Sequence, residues 1–154
     1  MSTAFERAVK LLAARQRSEA ELRRALADFP AGEVESALAR VKDLGYINDG
    51  ETARVRARTR VGRGEAPRLA AKKLAAQGIA EATAREAAAD AAEGAGEDEL
   101  AARALRQKLR GRQPASEREK IRLLRALIAK GHRPSAAAKA LGMEWEGDDD
   151  VEDL

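Results

Sequence analysis

Residues 53–64 read ARVRARTRVGRG. Arginine holds every second position from Arg54 to Arg60, and Arg63 follows. Strict alternation is the period of a half-buried strand, so the stretch taken alone points to a sheet. Its surroundings point elsewhere. Asn48 stands where a side-chain oxygen can accept a free N–H of a first helical turn, and Glu51 lies three residues on. Gly62 and Gly64 close the run. On a helix, Ala53, Ala57 and Val61 fall four residues apart and form one narrow apolar stripe. Arg54 and Arg58 then share one flank, and Arg56, Arg60 and Arg63 another. The spacing predicts a helix that is basic around most of its circumference.

Composition carries the same conclusion to the whole chain. Of 154 residues 44% are apolar but only 3% aromatic, and much of the apolar share is alanine. Ala, Leu, Arg, Glu and Lys dominate, and these are strong helix formers. The β-branched and aromatic residues that strands prefer are scarce. The expected fold class is all-α, with a thin core suited to helices that approach closely.

The same residues exclude several kinds of chemistry. The absence of cysteine rules out disulfides, Cys-ligated zinc and a Cys nucleophile. GRGEAP at 62–67 lacks the Lys-Ser/Thr ending of a Walker phosphate loop. The single histidine, His132, has no neighbouring His or Cys, and a turn position after Gly131 accounts for it. No enzyme activity, cofactor or metal is expected. No apolar run approaches the roughly 20 residues that cross a bilayer. The opening MSTAFERAVKLLAARQ lacks the continuous apolar segment of a secretion signal. A cytoplasmic protein is expected.

Helices can be placed by stripe, cap and break. Phe5, Ala8, Val9, Leu11 and Leu12 mark a helix from Ala4 to Ala14. Ser18 with Glu21 is a capping box for the next, which Phe29-Pro30 ends. Val34, Leu38 and Val41 mark a third, from Ala31 to Leu44, stopped by Gly45. After the arginine helix, Pro67 opens a helix that runs to Gly78. An alanine-rich acidic helix covers Ile79 to Glu93, and another runs from Glu97 to Arg110. Ser116 with Glu119 is a second capping box, leading into Ile121, Leu124, Leu127 and Ile128 and ending at Gly131. A short helix covers Ser135 to Leu141. AELRRALADF, RLAAKKLAAQGI and IRLLRALIAKGH occupy equivalent places at a period of about 45 to 50 residues, the mark of a helical array. The expected organisation is three tandem three-helix repeats (4–47, 48–94 and 97–142) in an elongated, curved array, then an acidic, disordered tail at 143–154.

Charge is segregated along this array. Residues 51–78 carry 8 Lys/Arg against 2 Asp/Glu, and residues 100–142 carry 12 against 2. Residues 79–99 carry 1 against 7, and the tail 0 against 7. Blocks of this kind speak of partners more than the net +3 does. The tail beside the last basic block suggests a fold-back over the basic faces, in competition with a polyanion.

AVKLLAARQRSEAELRRAL, LGYIND, TRVGRGEAPRLAAKKLAAQGI and KIRLLRALIAKG resemble, in order, the repeats of the RecX family of bacterial regulators of the RecA recombinase. The resemblance runs from Ala8 to Leu141. It implies three tandem three-helix repeats and binding along the groove of the RecA–single-stranded DNA filament, with suppression of ATP hydrolysis and strand exchange. It also implies DNA contact in some members and no active site. The sequence departs from the family at ADFP, where a Gly-aromatic pair is common, and at Thr52 and Arg56, where aromatics are usual. Arg56 can lay its methylenes over the core and leave its guanidinium in solvent.

The residues expected to meet the filament or DNA are Arg54, Arg58, Arg60, Arg63, Arg68, Lys72 and Lys73 in the middle repeat. In the last repeat they are Arg103, Arg106, Lys108, Arg110 and Arg112. Solvated helix faces are the plainer reading of both sets. Arg23 and Arg24 follow Glu19 and Glu21 and read as intrahelical pairs. Tyr46 reads as a plug between repeats one and two. The partners expected are RecA and single- or double-stranded DNA, met by a monomer. The competing readings are a helical DNA-binding protein acting without RecA and a helical scaffold for an acidic protein.

Overall fold

The computed structural model describes residues 2–149, and these form nine α-helices with no strand. They are α1 (Ala4–Ala14), α2 (Glu19–Ala25), α3 (Ala31–Asp43), α4 (Asp49–Gly62) and α5 (Pro67–Ala76), then α6 (Glu81–Ala91), α7 (Glu97–Leu109), α8 (Glu117–Ala129) and α9 (Pro134–Ala140). The arginine stretch is helical throughout, with Ala53, Ala57 and Val61 buried along its stripe. Asn48 caps it, accepting from the Glu51 N–H at 3.0 Å. Ser18 and Glu21 form the expected capping box. Thr3 and Glu6 form another at the start of α1. Ser116 caps α8, but the Glu119 carboxylate pairs with Arg112 at 2.5 Å and that box is only half built.

The helices pack in consecutive threes, and every extensive helix–helix contact falls within a set. The first core gathers Leu22, Leu26, Val34, Leu38 and Val41. The third gathers Leu105, Leu123, Leu124, Leu127 and Leu141. A fully buried Leu contributes about 1.5–3 kcal/mol. The middle core rests on Ala53, Ala57, Ala70, Ala84 and Ala88 around Leu74, so it gains less per residue and depends on close helix approach. Leu100 of α7 is part of this middle core and ties the third set to it. Thr52 is fully buried and its Oγ1 has no partner, an orphaned hydroxyl that costs about 1–3 kcal/mol.

The sets are joined by one device used twice. Gly78 follows α5 and Gly131 follows α8, each with φ +92°. A Cβ on Gly78 would lie 2.2 Å from Ala20 Cβ, in the first turn of α2. A Cβ on Gly131 would lie 2.6 Å from Leu69 Cβ and 3.3 Å from Ala66 Cβ, at the start of α5. So the end of each set's second helix rests on the beginning of the previous set's second helix. The preceding carbonyl is used at both places. Gln77 O accepts from Ser18 Oγ at 2.9 Å, and Lys130 O accepts from Ala66 N at 2.8 Å.

Tyr46 does not plug the first of these joints. It is 53% exposed, because the Ser18–Ala20–Gly78 contact already closes the space. Beyond α9, Met143 packs on the third core, and the Asp149 carboxylate accepts from the backbone N–H and the hydroxyl of Ser135. The rest of the expected disordered tail, residues 150–154, lies outside the described residues.

Gly45 supplies a control for the joint, since its φ is +76° but nothing lies within 4 Å of a Cβ there. Gly45→Ala should cost only the left-handed backbone term, about 1–2 kcal/mol. Gly78→Ala should cost that plus about 1–3 kcal/mol of overpacking against Ala20. Urea denaturation of the two variants measures the difference; equal losses would mean that the joint is not closely packed.

Candidate functional site

The candidate surface is built where α4 meets its neighbours. Arg60 and Arg63 line a cleft of about 350 Å³ between the first and middle sets, together with Arg15 and Arg56. Glu21 and Glu65 line it too. Arg56 is the clamp of this cleft. Its guanidinium pairs with Glu21 at 2.8 Å and donates to Gln77 Oε1 at 2.8 Å and to the Gln16 carbonyl at 3.1 Å. The expectation that this guanidinium sits in solvent is therefore incorrect: it is 18% exposed because a carboxylate and two carbonyl oxygens of the joint converge on it. Burial pushes the Glu21 carboxyl up, but Arg56 and the Ser18 N–H and hydroxyl outweigh it and hold the group below its ordinary value. Glu19 N also donates to Asp49 Oδ1 at 2.9 Å across the same joint.

The twelve cations picked out in sequence fall into distinct situations. Arg60 and Lys73 both turn to Glu65, at 3.2 and 2.6 Å. Arg54 pairs with Glu51 at 2.7 Å, Arg103 with Glu99 at 2.9 Å and Arg112 with Glu119. Such exposed pairs are worth about 0–1 kcal/mol each, and a stronger anion can reclaim their cations. Arg68 donates to the Gly131 carbonyl at 2.7 Å and is part of the second joint. It lines a groove between α5 and α6 with Lys72, apart from the α4 cleft. Arg58, Arg63, Arg106, Lys108 and Arg110 are exposed and form no ion pair among the described residues. Arg23 pairs with Glu19 at 3.3 Å within its helix and with Glu35 of α3 at 3.0 Å.

The second joint brings the two basic blocks into contact. The last carbonyls of α4 are taken by the third set: Gln107 Nε2 donates to Gly62 O at 2.9 Å and Lys130 Nζ to Arg63 O at 2.7 Å. Gln107 stands on α7 directly after Arg106. The C-terminal end of the arginine helix thus abuts the helix that carries Arg103, Arg106 and Lys108. Arg15 escaped the sequence reading because its block has no net charge; its place in the cleft comes only from the joint.

His132 completes this joint. It does follow Gly131 in a turn, and it is 4% exposed with Nε2 2.7 Å from the Gly64 carbonyl. Burial holds its pKa below the ordinary value, with Lys130 and Arg68 adding to the effect; the Gly64 carbonyl and Glu97 act against it. The neutral ring, donating Nε2–H to Gly64, is the folded form. Among the described residues no three His, Cys, Asp or Glu side chains converge as a metal site, and no helix is long and apolar enough to cross a membrane.

Residues 4–40 match the family model of the RecX first three-helix domain. Two solved structures share the fold over 90% of this chain. One, described as regulatory protein RecX, is 23% identical with a TM-score of 0.66 and is covered over 70% of its own length. The other, RecX from Lactobacillus salivarius, is 19% identical with a TM-score of 0.64 and is covered over 92%. No curated protein matches the sequence. The first domain is of RecX type, and the fold is the RecX fold of tandem three-helix domains.

His132 gives the joint a pH signature. A folded pKa below the unfolded value of 6.5 means that protonation favours unfolding. Stability should be flat above about pH 7 and fall as pH drops through about 6.5, before the carboxylates titrate. Urea midpoints measured between about pH 7.5 and 5.5 should show this fall in the natural chain and lose it in His132→Gln. Parallel profiles would remove His132 from the joint.

Proposed function

We propose that this chain is a non-enzymatic regulator of RecX type that docks on the RecA–single-stranded DNA filament in the cytoplasm and lowers its ATP hydrolysis and strand exchange. The observation that carries the proposal is the RecX fold together with Arg58, Arg63, Arg106, Lys108 and Arg110, which have no internal acid to satisfy them. They stand on α4, α7 and the turn after α7, which the second joint holds against one another. A rigid cationic surface set before binding loses little conformational entropy when it meets an anionic partner. The filament offers phosphates and acidic side chains to such a surface, and the monomer is the acting unit.

A second reading keeps the same cations and dispenses with RecA: the chain binds duplex DNA directly. Salt dependence belongs to both readings, because each neutralised phosphate releases counterions, with a slope of about −0.9 on duplex and about −0.7 on single strands. Dependence on RecA separates them.

The test is RecA ATP hydrolysis on single-stranded DNA, titrated with the natural chain and with two variants. Replacing Arg58, Arg63, Arg106 and Lys108 by Ala should raise the concentration needed for inhibition by about tenfold or more, a loss of about 1.4 kcal/mol. Replacing the internally paired Arg54 and Arg103 should change it far less. No effect of the natural chain on hydrolysis, beside salt-sensitive binding to bare duplex, would favour the second reading.

A further inference from the structure

Between α5 and α6 lies a groove of about 470 Å³ on the middle set. Its floor is alanine, from Ala71 and Ala75 on one helix and Ala88 and Ala89 on the other. Small side chains leave an open trough here where larger ones would fill it. Arg68, Lys72 and Arg85 stand around it against the single acid Glu81. The trough therefore suits a short segment with acidic side chains for the rim and aliphatic ones for the floor.

The chain itself contains such a segment. Residues 150–154 read DVEDL, three acids with two aliphatic residues and no base. The described chain brings them near the groove. Asp149 is held by Ser135, two residues from Arg133, which also draws on the Asp149 carboxylate. Arg133 lines a smaller hollow of about 250 Å³, and Pro67 and Arg68 form the ridge common to that hollow and the α5–α6 groove. Arg68 reaches the Gly131 carbonyl at 2.7 Å, so the ridge is close to the loop that leads to Ser135. Five extended residues span up to about 17 Å, enough to pass from Asp149 over the Arg68 ridge.

We propose that residues 150–154 occupy the α5–α6 groove as an internal acidic ligand, with Val151 and Leu154 on the alanine floor and the carboxylates toward Lys72 and Arg85. The groove is then closed to outside acidic segments until the tail is displaced. Arg68 and Lys72 are engaged within the molecule, and the surface at α4 and α7 stays open. High salt loosens the tail by screening its charges.

The absence of cysteine allows one nitroxide to be placed on the tail through Glu152→Cys. In the amide spectrum of the labelled full chain, Ala71, Ala75 and Ala89 should lose most of their intensity and regain it when the nitroxide is reduced. Adding Lys72→Glu and Arg85→Glu should restore them with the label still active. Undiminished signals at these alanines would overturn the proposal. So would a loss falling on α4 or α7 instead, a loss that survives the double charge reversal, or one that grows with protein concentration and so reports a second copy.

Discussion

A glycine resting on the first turn of a neighbouring helix is the constraint on which the structure depends. It occurs at Gly78 on Ala20 and again at Gly131 on Leu69 and Ala66. At each place the backbone is left-handed and a Cβ has no room. A left-handed residue is easily supplied by glycine alone, and here the same residue also provides the close approach. Repeat proteins are held by neighbour contacts rather than by one shared core, so the relative setting of the sets rests on these two points. Leu100 in the middle core, Arg56 on Glu21 and His132 on Gly64 reinforce them.

This constraint decides which cations are available. Glu65, in the turn between α4 and α5, draws in Arg60 and Lys73. Arg68 serves the second joint, and Glu99 and Glu119 hold Arg103 and Arg112. The cations left over lie at the contact between α4 and α7, where the carbonyls of Gly62, Arg63 and Gly64 are tied down by Gln107, Lys130 and His132. The proposed filament surface is thus a by-product of the joint: the residues that fix the third set also place Arg63 beside the helix of Arg106.

Much of the fold was legible because each helix carries its own signals. The stripe of Ala53, Ala57 and Val61 with the Asn48 cap was enough to overrule an alternating arginine pattern, and the structure buries that stripe. Thr3 with Glu6 was equally readable and was passed over, since the Phe5 to Leu12 stripe alone had marked the helix. The joints were not legible. Nothing in the spacing of Gly78 or Gly131 distinguishes a helix stop from a site of close approach. Tyr46 was assigned to a junction that Ser18 and Ala20 fill, and Arg56 was left in solvent although Glu21 lies 35 positions earlier in the chain. The candidate site suffered in the same way. Charge blocks count residues along the chain and cannot show that one Glu65 neutralises two cations in space, or that Arg15 faces Arg60 across a cleft.

The central claim is that two glycine joints hold three small units in one fixed arrangement. It is tested most directly by the distance distribution between nitroxides at Lys10→Cys on α1 and Arg122→Cys on α8, measured by double electron–electron resonance. Both positions are exposed, and the natural chain has no cysteine to interfere. The account predicts one narrow distance in the free protein, and a broad distribution when Gly131 is replaced by Val. A broad distribution in the unsubstituted background would contradict it, because the units would then move independently and no surface would be set before binding.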